Sequence, residues 1–307
     1  MRTLRFHEYG APLEVLRLEE AEAPAPGAGQ VRISVETCGL TPADWALCQG
    51  LFARDLPRGI GLEVSGTVDA IGAGVTGVAV GDEVFGPAPF LGATAGASGQ
   101  AVLDVWFARP EGLGAAEAAA LPMAVETAYR SLEMLGAGPG ATVLINGAGT
   151  TVGFAAAQIA IEHGARVIAT AGTTYADALR TAGAEVTGYG DGVAERVRAL
   201  AGGPVDLVLD AGPASNALPA LVQTVAAPEH VLTVSDFAAG EKLGVRTAFG
   251  DGTVKLRNDV LGDYAQRAAE GRFSVPVARV FPLADWRTAA ERSQSGHARG
   301  KLILKIN

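Results

Sequence analysis

Apolar and polar residues alternate with a period of two along the first third of the chain. In Gln30–Glu36 every second side chain is apolar, and Gly61–Ala70 repeats the pattern with Glu63 and Ser65 among its polar positions. Such alternation predicts half-buried strands with one wet face. Pro and Gly interrupt the region often, as in Ala23–Gly27. Short strands with frequent turns predict a small, barrel-like antiparallel domain.

Beyond Leu113 the pattern changes to helical stretches and continuous apolar runs. Ala115–Ala120 and Met123–Leu135 have helical composition, and Pro122 is expected to break the helix between them. Apolar strands separated by helices predict right-handed crossovers and a parallel sheet. The predicted strands are Thr142–Ile145, Arg166–Thr170, Val205–Leu209 and His230–Val234.

The last part of the chain becomes strand-rich again. A closing helix is predicted at Asp259–Glu270, and strand-like Val275–Val280 and Leu302–Ile306 flank a helix at Ala284–Ser293. We therefore predict an α/β protein in which a parallel-sheet domain is inserted into a β-rich domain. The predicted boundaries are 1–122 with 263–307 for the β-rich domain and 123–262 for the parallel-sheet domain.

Composition narrows the class of protein. Hydrophobic residues make up 49% and charged residues 19% of 307, which is a globular balance. No apolar run approaches the roughly 18 residues of a membrane span, and the N-terminus lacks a secretory apolar segment, so we expect a cytoplasmic protein with no membrane partner. A net charge of −9 argues against a nucleic-acid partner. Cys38 and Cys48 are too few for a disulfide framework or a four-cysteine zinc site, and we expect reduced thiols.

The segment Ala141–Thr174 carries the strongest chemical signal. It reads as an apolar strand, a glycine-rich turn, an amphipathic helix and a second apolar strand. A literal G-x-G-x-x-G is absent, but a turn between strand and helix presents backbone N–H groups to a pyrophosphate. The alternative is an ordinary glycine turn of an α/β core. The candidate cofactor-binding residues here are Gly147, Ala148, Thr150, Thr151, Val152 and Gly153.

The second strand ends without the acid that would accept hydrogen bonds from a ribose diol, since the first acid after it is Asp177. A carboxylate would also repel a 2′-phosphate, whereas hydroxyls can donate to one. The residues that follow the second strand therefore favour NADP(H) over NAD(H) as the cofactor. The alternative is that two threonines cap the next helix and a nearby arginine is solvated. The candidates for the 2′-phosphate site are Thr173, Thr174, Tyr175, Arg180 and Tyr189.

A set of short motifs runs in a characteristic order along the whole chain. Together they resemble the medium-chain dehydrogenase/reductase superfamily, and within it the zinc-free quinone oxidoreductase branch that includes zeta-crystallin-like proteins. The motifs are Gly39–Asp44, Gly61–Val68, Gly81–Gly86, Glu126–Tyr129 and Gly296–Lys301, together with the glycine turn.

The resemblance implies a GroES-like catalytic domain, a Rossmann doubly wound parallel-sheet domain and a homodimer. It also implies hydride transfer between NADPH and a small hydrophobic quinone or carbonyl substrate with an electron-poor double bond. Zinc-dependent relatives carry a Cys in the first motif and a His in the second, where this chain has Thr41 and Leu62, so no metal is expected. Thr150 stands where the zinc-free branch has a glycine; its Cβ could displace the pyrophosphate, or its hydroxyl could bind it.

The resemblance also suggests catalytic residues. Thr41, or a backbone N–H near it, is expected to contact the substrate carbonyl oxygen. Asp44 is either close to the nicotinamide ribose or simply the acid at a helix start. Thr127 is either on the nicotinamide side or an interior-helix threonine bonded to a carbonyl one turn back.

Further candidates complete the site. Arg299 and Lys301 could reach a cofactor or substrate phosphate, or could be two surface cations. Ala211, Ser235 and Phe237 are additional cofactor-site candidates. Trp45, Phe52 and Phe90 are candidates for an apolar substrate wall, and such aromatics can equally belong to the core.

Two other functions remain open at this level. One is an enoyl-thioester reductase of a biosynthetic pathway, which would need a partly basic approach for a phosphopantetheine arm. The other is an NADPH-binding sensor or structural protein without turnover.

Overall fold

The computed structural model describes residues 1–249 and 254–307. The strands in these residues are β1 Arg2–Phe6, β2 Leu16–Glu20, β3 Val31–Leu40, β4 Arg58–Gly59, β5 Glu63–Ile71, β6 Glu83–Pro87, β7 Gln100–Leu103, β8 Phe107–Ala108, β9 Thr142–Asn146, β10 Arg166–Thr170, β11 Glu185–Thr187, β12 Leu207–Asp210, β13 Val231–Thr233, β14 Arg246–Thr247, β15 Val277–Pro282 and β16 Lys301–Lys305.

The helices alternate with these strands mainly in the middle of the chain. They are α1 Pro12–Val15, α2 Pro42–Cys48, α3 Ala115–Ala118, α4 Leu121–Leu135, α5 Thr151–Glu162, α6 Thr173–Thr181, α7 Val193–Ala201, α8 Leu218–Val222, α9 Phe237–Leu243, α10 Leu261–Ala269 and α11 Trp286–Gln294. Short 3-10 turns lie at Pro228–His230, Asn258–Val260 and Leu283–Asp285. Within the described residues, every helix is too short or too polar to traverse a lipid bilayer.

The chain divides into two compact units. The first comprises Met1–Met123 and Asn258–Asn307, and the second comprises Ala124–Arg257. Each unit has its own sheets and its own apolar core. The predicted α/β class, with a β-rich domain and a parallel-sheet domain, is confirmed.

The first unit is built on a sheet in the order β15-β16-β3-β5-β6-β8, with β7 also paired to β3, and on a small sheet β2-β1-β4. Val31, Ile33 and Val35 are fully buried, so the predicted inner face of β3 is confirmed. The predicted wet face of β5 is wrong at its start, because Glu63 and Ser65 are also fully buried. This strand lies between β3 and β6, and other chain segments cover its second face.

The predicted antiparallel character of this unit is wrong at one pair. β15 and β16 are parallel, while β16 pairs antiparallel with β3. The reason is the connection, because α11 lies between the two strands and carries the chain back to the edge where β15 began.

The second unit has a sheet in the order β11-β10-β9-β12-β13-β14, and all its strand pairs are parallel. Numbered along the chain, this is the 3-2-1-4-5-6 order of a dinucleotide-binding sheet. The predicted strand at Arg166–Thr170 is confirmed residue for residue. In such sheets, ligands bind beyond the carboxyl ends of the strands.

Two predicted helix features are wrong. The helix after the glycine turn is not amphipathic: α5 buries Phe154 and Ala157 as well as Ala156 and Ile159, because it is enclosed on nearly every side. Pro122 does not separate two helices but lies in the first turn of α4, where a missing N–H costs no helical hydrogen bond.

Candidate functional site

The glycine turn between β9 and α5 brings two backbones into close contact. Gly147 has a left-handed φ of +73°, and a Cβ on it would lie 2.4 Å from the Gly212 nitrogen. A Cβ on Gly153 would lie 2.2 Å from the Gly147 carbonyl oxygen. Gly149 differs, since a Cβ there would meet no heavy atom of the described residues within 4 Å. The turn is therefore tight on its inner side and open at Gly149, as the approach of a pyrophosphate requires.

Thr150 caps the helix that follows the turn. Its hydroxyl accepts a hydrogen bond from the Gly153 N–H at 3.0 Å and donates to the Ala211 carbonyl at 3.1 Å. The single hydroxyl proton is thus used within the chain. The two roles considered for Thr150 toward a pyrophosphate stay predictions, and the N–H groups of Thr151 and Val152 lie in the first turn of α5, where helical N–H groups lack a partner within the helix.

A buried polar network joins the carboxyl ends of four neighbouring strands. The Thr170 hydroxyl donates to Asn146 Oδ1 at 2.7 Å, and Asn146 Nδ2 donates to Asp210 Oδ1 at 2.8 Å. The Thr233 hydroxyl donates to Asp210 Oδ2 at 2.9 Å, and the Gly147 N–H donates to Thr170 at 3.0 Å. Burial raises the pKa of Asp210. The network fixes the strand ends under the glycine turn.

The sequence pattern carried a signal for this network that the site prediction did not use. Each member is the polar residue that ends an apolar strand of the same parallel sheet: β10, β9, β12 and β13. Carboxyl ends of parallel strands meet at one edge, so this pattern was enough to place the four residues together.

The end of β10 brings together several predicted residues of the 2′-phosphate site. Thr173 and Thr174 are exposed in the first turn of α6, and the Tyr175 ring packs on Phe154 at 5.5 Å between centroids. Tyr189 lies against the same end, since a Cβ on Gly172 would be 3.6 Å from its Cε1.

The two arginines near this end are placed differently. Arg180 is in the last turn of α6 and forms an exposed ion pair with Asp177 at 2.8 Å, so the structure does not bring it to the helix start. Arg196, which the sequence prediction missed, donates to the carbonyls of Gly188 at 3.0 Å and Asp191 at 2.6 Å. Its guanidinium bonds no carboxylate in the part of the chain that the structure describes. Its signal in the sequence was a basic residue soon after the loop that carries Tyr189, residues 188–192, called the tyrosine loop below.

The remaining cofactor candidates of the second unit lie near β12 and β13. Ala211 follows β12, and Ser235 Oγ donates to the Gly212 carbonyl at 2.5 Å. Phe237 begins α9 and its ring lies 5.3 Å from that of Phe249. Thr127 is elsewhere in this unit, partly exposed on α4.

In the first unit, Asp44 is a fully buried carboxylate at the start of α2. Its Oδ2 accepts from the Thr41 N–H at 2.7 Å and from the Thr41 hydroxyl at 3.1 Å, and its Oδ1 accepts from the Gly61 N–H at 2.7 Å. Burial raises the pKa of Asp44 to about 6, despite these hydrogen bonds. Asp44 therefore is an acid at a helix start and forms a capping box with Thr41, while its closeness to a nicotinamide ribose stays a prediction. Both donors of Thr41 are engaged, so the predicted contact with a substrate oxygen requires the hydroxyl to turn away.

Glu63 and Lys301 form a buried ion pair. Lys301 Nζ donates to Glu63 Oε1, and the Met123 N–H donates to Oε2 at 2.9 Å. Neither alternative considered for Lys301 describes this position: it is not a surface cation, and its ammonium is occupied by a carboxylate rather than turned to a phosphate. Arg299 is exposed and has a φ of +55°.

The three aromatic residues of the predicted substrate wall do not share one environment. Trp45 is buried in the core of the first unit, and its Nε1 donates to Ser293 Oγ at 2.7 Å. Phe52 and Phe90 are exposed, at 45% and 37%. The structure therefore places Trp45 with the core and keeps the other two at a surface.

Comparison with known proteins agrees with this architecture. The family profile described as "Alcohol dehydrogenase GroES-like domain" matches residues 27–124, and that described as "Zinc-binding dehydrogenase" matches residues 182–304. The chain belongs to the medium-chain dehydrogenase/reductase superfamily.

Several relatives and solved structures are moderately similar to the chain. The quinone oxidoreductase of Rattus norvegicus is 33% identical over 176 residues, which cover 56% of this chain and 53% of that protein. The chain thus spans about half the length of the curated relatives it matches first. The structure of the quinone oxidoreductase from Coxiella burnetii is 27% identical with a TM-score of 0.82, covering 100% and 99% of the two chains. A mycobacterial protein in complex with NADPH is 25% identical with a TM-score of 0.82, covering 100% of both.

The donor set in this superfamily member does not fit a zinc ion at the two motif positions. Thr41 donates its hydroxyl to Asp44, and Leu62 is a buried aliphatic side chain. Zinc takes Cys, His or carboxylate ligands, and the adjacent Glu63 is occupied by Lys301. Within the described residues, no three His, Cys, Asp or Glu side chains gather as a metal site.

Proposed function

We propose that this chain is an NADPH-dependent oxidoreductase that transfers a hydride to a quinone or an α,β-unsaturated carbonyl compound. The observation that carries the proposal is the glycine turn, tight at Gly147 and Gly153 and open at Gly149, at the carboxyl edge of a sheet with dinucleotide-binding order. The similarity to the rat quinone oxidoreductase supports a quinone as acceptor, and the similarity to the mycobacterial protein bound to NADPH supports NADPH as donor.

The residues of the second unit suit a dinucleotide with a 2′-phosphate. The N–H groups of Thr151 and Val152 would bind the pyrophosphate at the positive end of α5. The hydroxyls of Thr173 and Thr174 would donate to the 2′-phosphate, with Arg196 supplying the positive charge from α7, next to the tyrosine loop. When bound, the reduced nicotinamide supplies the hydride.

In the first unit, the pair of Thr41 and Asp44 can respond to charge on a substrate oxygen. While Asp44 is ionised, the Thr41 hydroxyl donates to it. Protonation of Asp44, whose pKa is raised to about 6 by burial, frees the Thr41 proton to donate to an oxygen that gains charge as hydride arrives. The side chains at positions 41 and 62 are not a zinc ligand pair, which favours reduction of a conjugated system over alcohol oxidation.

A substrate panel tests the proposal. NADPH oxidation is followed with quinones, enones and enoyl-thioesters, and NADH is run in parallel. We expect turnover with quinones or enones and a clear preference for NADPH. Turnover confined to enoyl-thioesters would replace the proposal with a thioester reductase. Tight NADPH binding with no turnover on any class would replace it with a binding protein.

A pair of variants of α6 tests the cofactor assignment separately. T174V removes a hydroxyl at the helix start, and T181V removes one at its other end. We expect T174V to weaken NADPH binding by about tenfold to a hundredfold, the value of one hydrogen bond to a charged group, and T181V to leave it unchanged. Equal affinity of wild type and T174V would remove this threonine from the site.

A further inference from the structure

Arg58 is a fully buried arginine in the first unit, 1% exposed. It begins β4, which pairs with β1 opposite Phe6. No carboxylate of the described residues bonds its guanidinium, and its Nε has no hydrogen-bond partner among them. A buried cation without a counter-ion is costly, and an apolar side chain of similar volume would avoid that cost.

The guanidinium instead joins two loops. Nη1 donates to the Phe52 carbonyl at 2.9 Å, and Nη2 donates to the Phe90 carbonyl at 2.6 Å. The neighbouring Gly59 N–H donates to the Gly92 carbonyl at 3.0 Å, so the second loop is fastened to β4 at two points. The planar fork of an arginine can hold two acceptors in fixed directions, which an ammonium cannot do.

The two fastened residues are the exposed aromatics of the predicted substrate wall. Phe52 has a φ of +50°, in the left-handed region that bulky side chains avoid. Such a conformation persists only where surrounding contacts determine it. The hydrogen bond from Arg58 to the carbonyl of this same residue is such a contact.

We propose that Arg58 is a positioning residue that sets the spacing of the Phe52 and Phe90 rings and so determines the ring size of the substrate. The inference rests on the proposed function for its substrate class. It does not require Arg58 to touch the substrate. The side chain acts through the backbone of the two residues that carry the rings.

The test compares R58M and R58K with R54M. Arg54 is an exposed arginine of the loop that carries Phe52, and its guanidinium donates to the adjacent Ala53 carbonyl, so R54M controls for loss of a charge in this region. KM and kcat are measured with one-, two- and three-ring quinones. We expect R58M and R58K to change the ratio of KM values between three-ring and one-ring quinones by about tenfold or more, and R54M to leave it at the wild-type value. The wild-type ratio in both Arg58 variants would overturn the proposal.

A second measurement is independent of turnover. Hydrogen exchange of the backbone is followed in residues 50–57 and 88–94 without any substrate. We expect faster exchange in both loops of R58K and R58M and no change in R54M. Faster exchange in only one of the loops would overturn the proposal that Arg58 holds both. If R58M does not fold, R58K, which keeps the charge but loses the fork, decides the question. If the wild type reduces no quinone, the proposed function fails, and the exchange data still decide whether Arg58 joins the loops.

Discussion

The ammonium of Lys301 on β16 forms a fully buried ion pair with the carboxylate of Glu63 on β5. The two residues are far apart in sequence. Among the described residues, no other charged side chain forms a hydrogen bond with either of them. The pair joins the last strand of the chain to the middle of the first unit.

Removal of one partner should be strongly destabilising. K301M or E63Q leaves a buried polar group without its partner, and we expect a loss of about 3–5 kcal/mol in the free energy of unfolding. The double variant should lose less than the sum, because no uncompensated charge remains. Urea unfolding of the four proteins measures this, with K305M, an exposed lysine of the same strand, as control. A loss in K301M no larger than in K305M would show that the pair contributes nothing.

Asp44 should make the first unit less stable as the pH rises. Burial raises its pKa from 3.8 to about 6, so the folded chain retains a proton that the unfolded chain has already released. The contribution of Asp44 is therefore fully present below about pH 4 and is lost as the pH rises through about 6, by about 3 kcal/mol in total.

The measurement compares wild type and D44N, which does not titrate at this position. The wild type should lose stability relative to D44N between about pH 4 and pH 7, and the difference between their unfolding free energies should then level off. Other carboxyls cancel in this difference. A difference that is flat with pH, or that changes in the opposite direction, contradicts the raised pKa.

An added methyl group should lower the free energy of unfolding by different amounts at the three glycines of the turn. G147A and G153A each place a Cβ within 2.4 Å of backbone, and we expect a loss of about 1–3 kcal/mol in unfolding free energy. G149A meets no atom of the described residues within 4 Å and should be neutral for stability, like G138A outside the turn. If the pyrophosphate approaches at Gly149, G149A should weaken NADPH binding by about tenfold (about 1.4 kcal/mol), and the control G138A should not. Unchanged affinity in G149A would place the pyrophosphate elsewhere.

The hydroxyl of Thr150 should stabilise the helix rather than hold the cofactor directly. T150V keeps the shape and removes both hydrogen bonds, so we expect a loss of about 1–2 kcal/mol, while T150S should remain within about 0.5 kcal/mol of the wild type. T151V, one residue further on, is the matched control. Thermal or urea unfolding gives the comparison. A T150V protein as stable as T151V would show that the cap is not formed.

Arg196 rather than Arg180 should determine the preference for NADPH. R196M is expected to weaken NADPH binding by about tenfold or more and to spare NADH, because only NADPH carries the 2′-phosphate dianion. R180M should change neither affinity, since Arg180 pairs with Asp177 at the far end of α6. Titration by nicotinamide fluorescence gives both constants. An equal loss for both cofactors in R196M would mean that Arg196 only orders the tyrosine loop.

The local patterns of the sequence predicted the parallel strands well because each is a buried apolar run between helices. β10 is the clearest case, and the alternation in β3 correctly identified its inner face. The pattern missed β11 and β14, the two edge strands of the parallel sheet, because three and two residues are too short for a clear periodicity. It also failed at Glu63 and Ser65, where a polar position on an alternating strand indicates solvent unless a distant partner covers it.

The sequence by itself determined the two-part α/β organisation, the glycine turn and the absence of an acid after the second strand, because periodicity, glycine and side-chain charge act over a few neighbouring residues. The tertiary structure decided the partners of the polar side chains. Thr150 became a cap tied to Ala211, Lys301 became the partner of Glu63, and Arg58 became the link between two loops. Hydrogen bonds and ion pairs depend on distances of about 3 Å between atoms, and only the folded chain sets those distances for residues far apart in sequence.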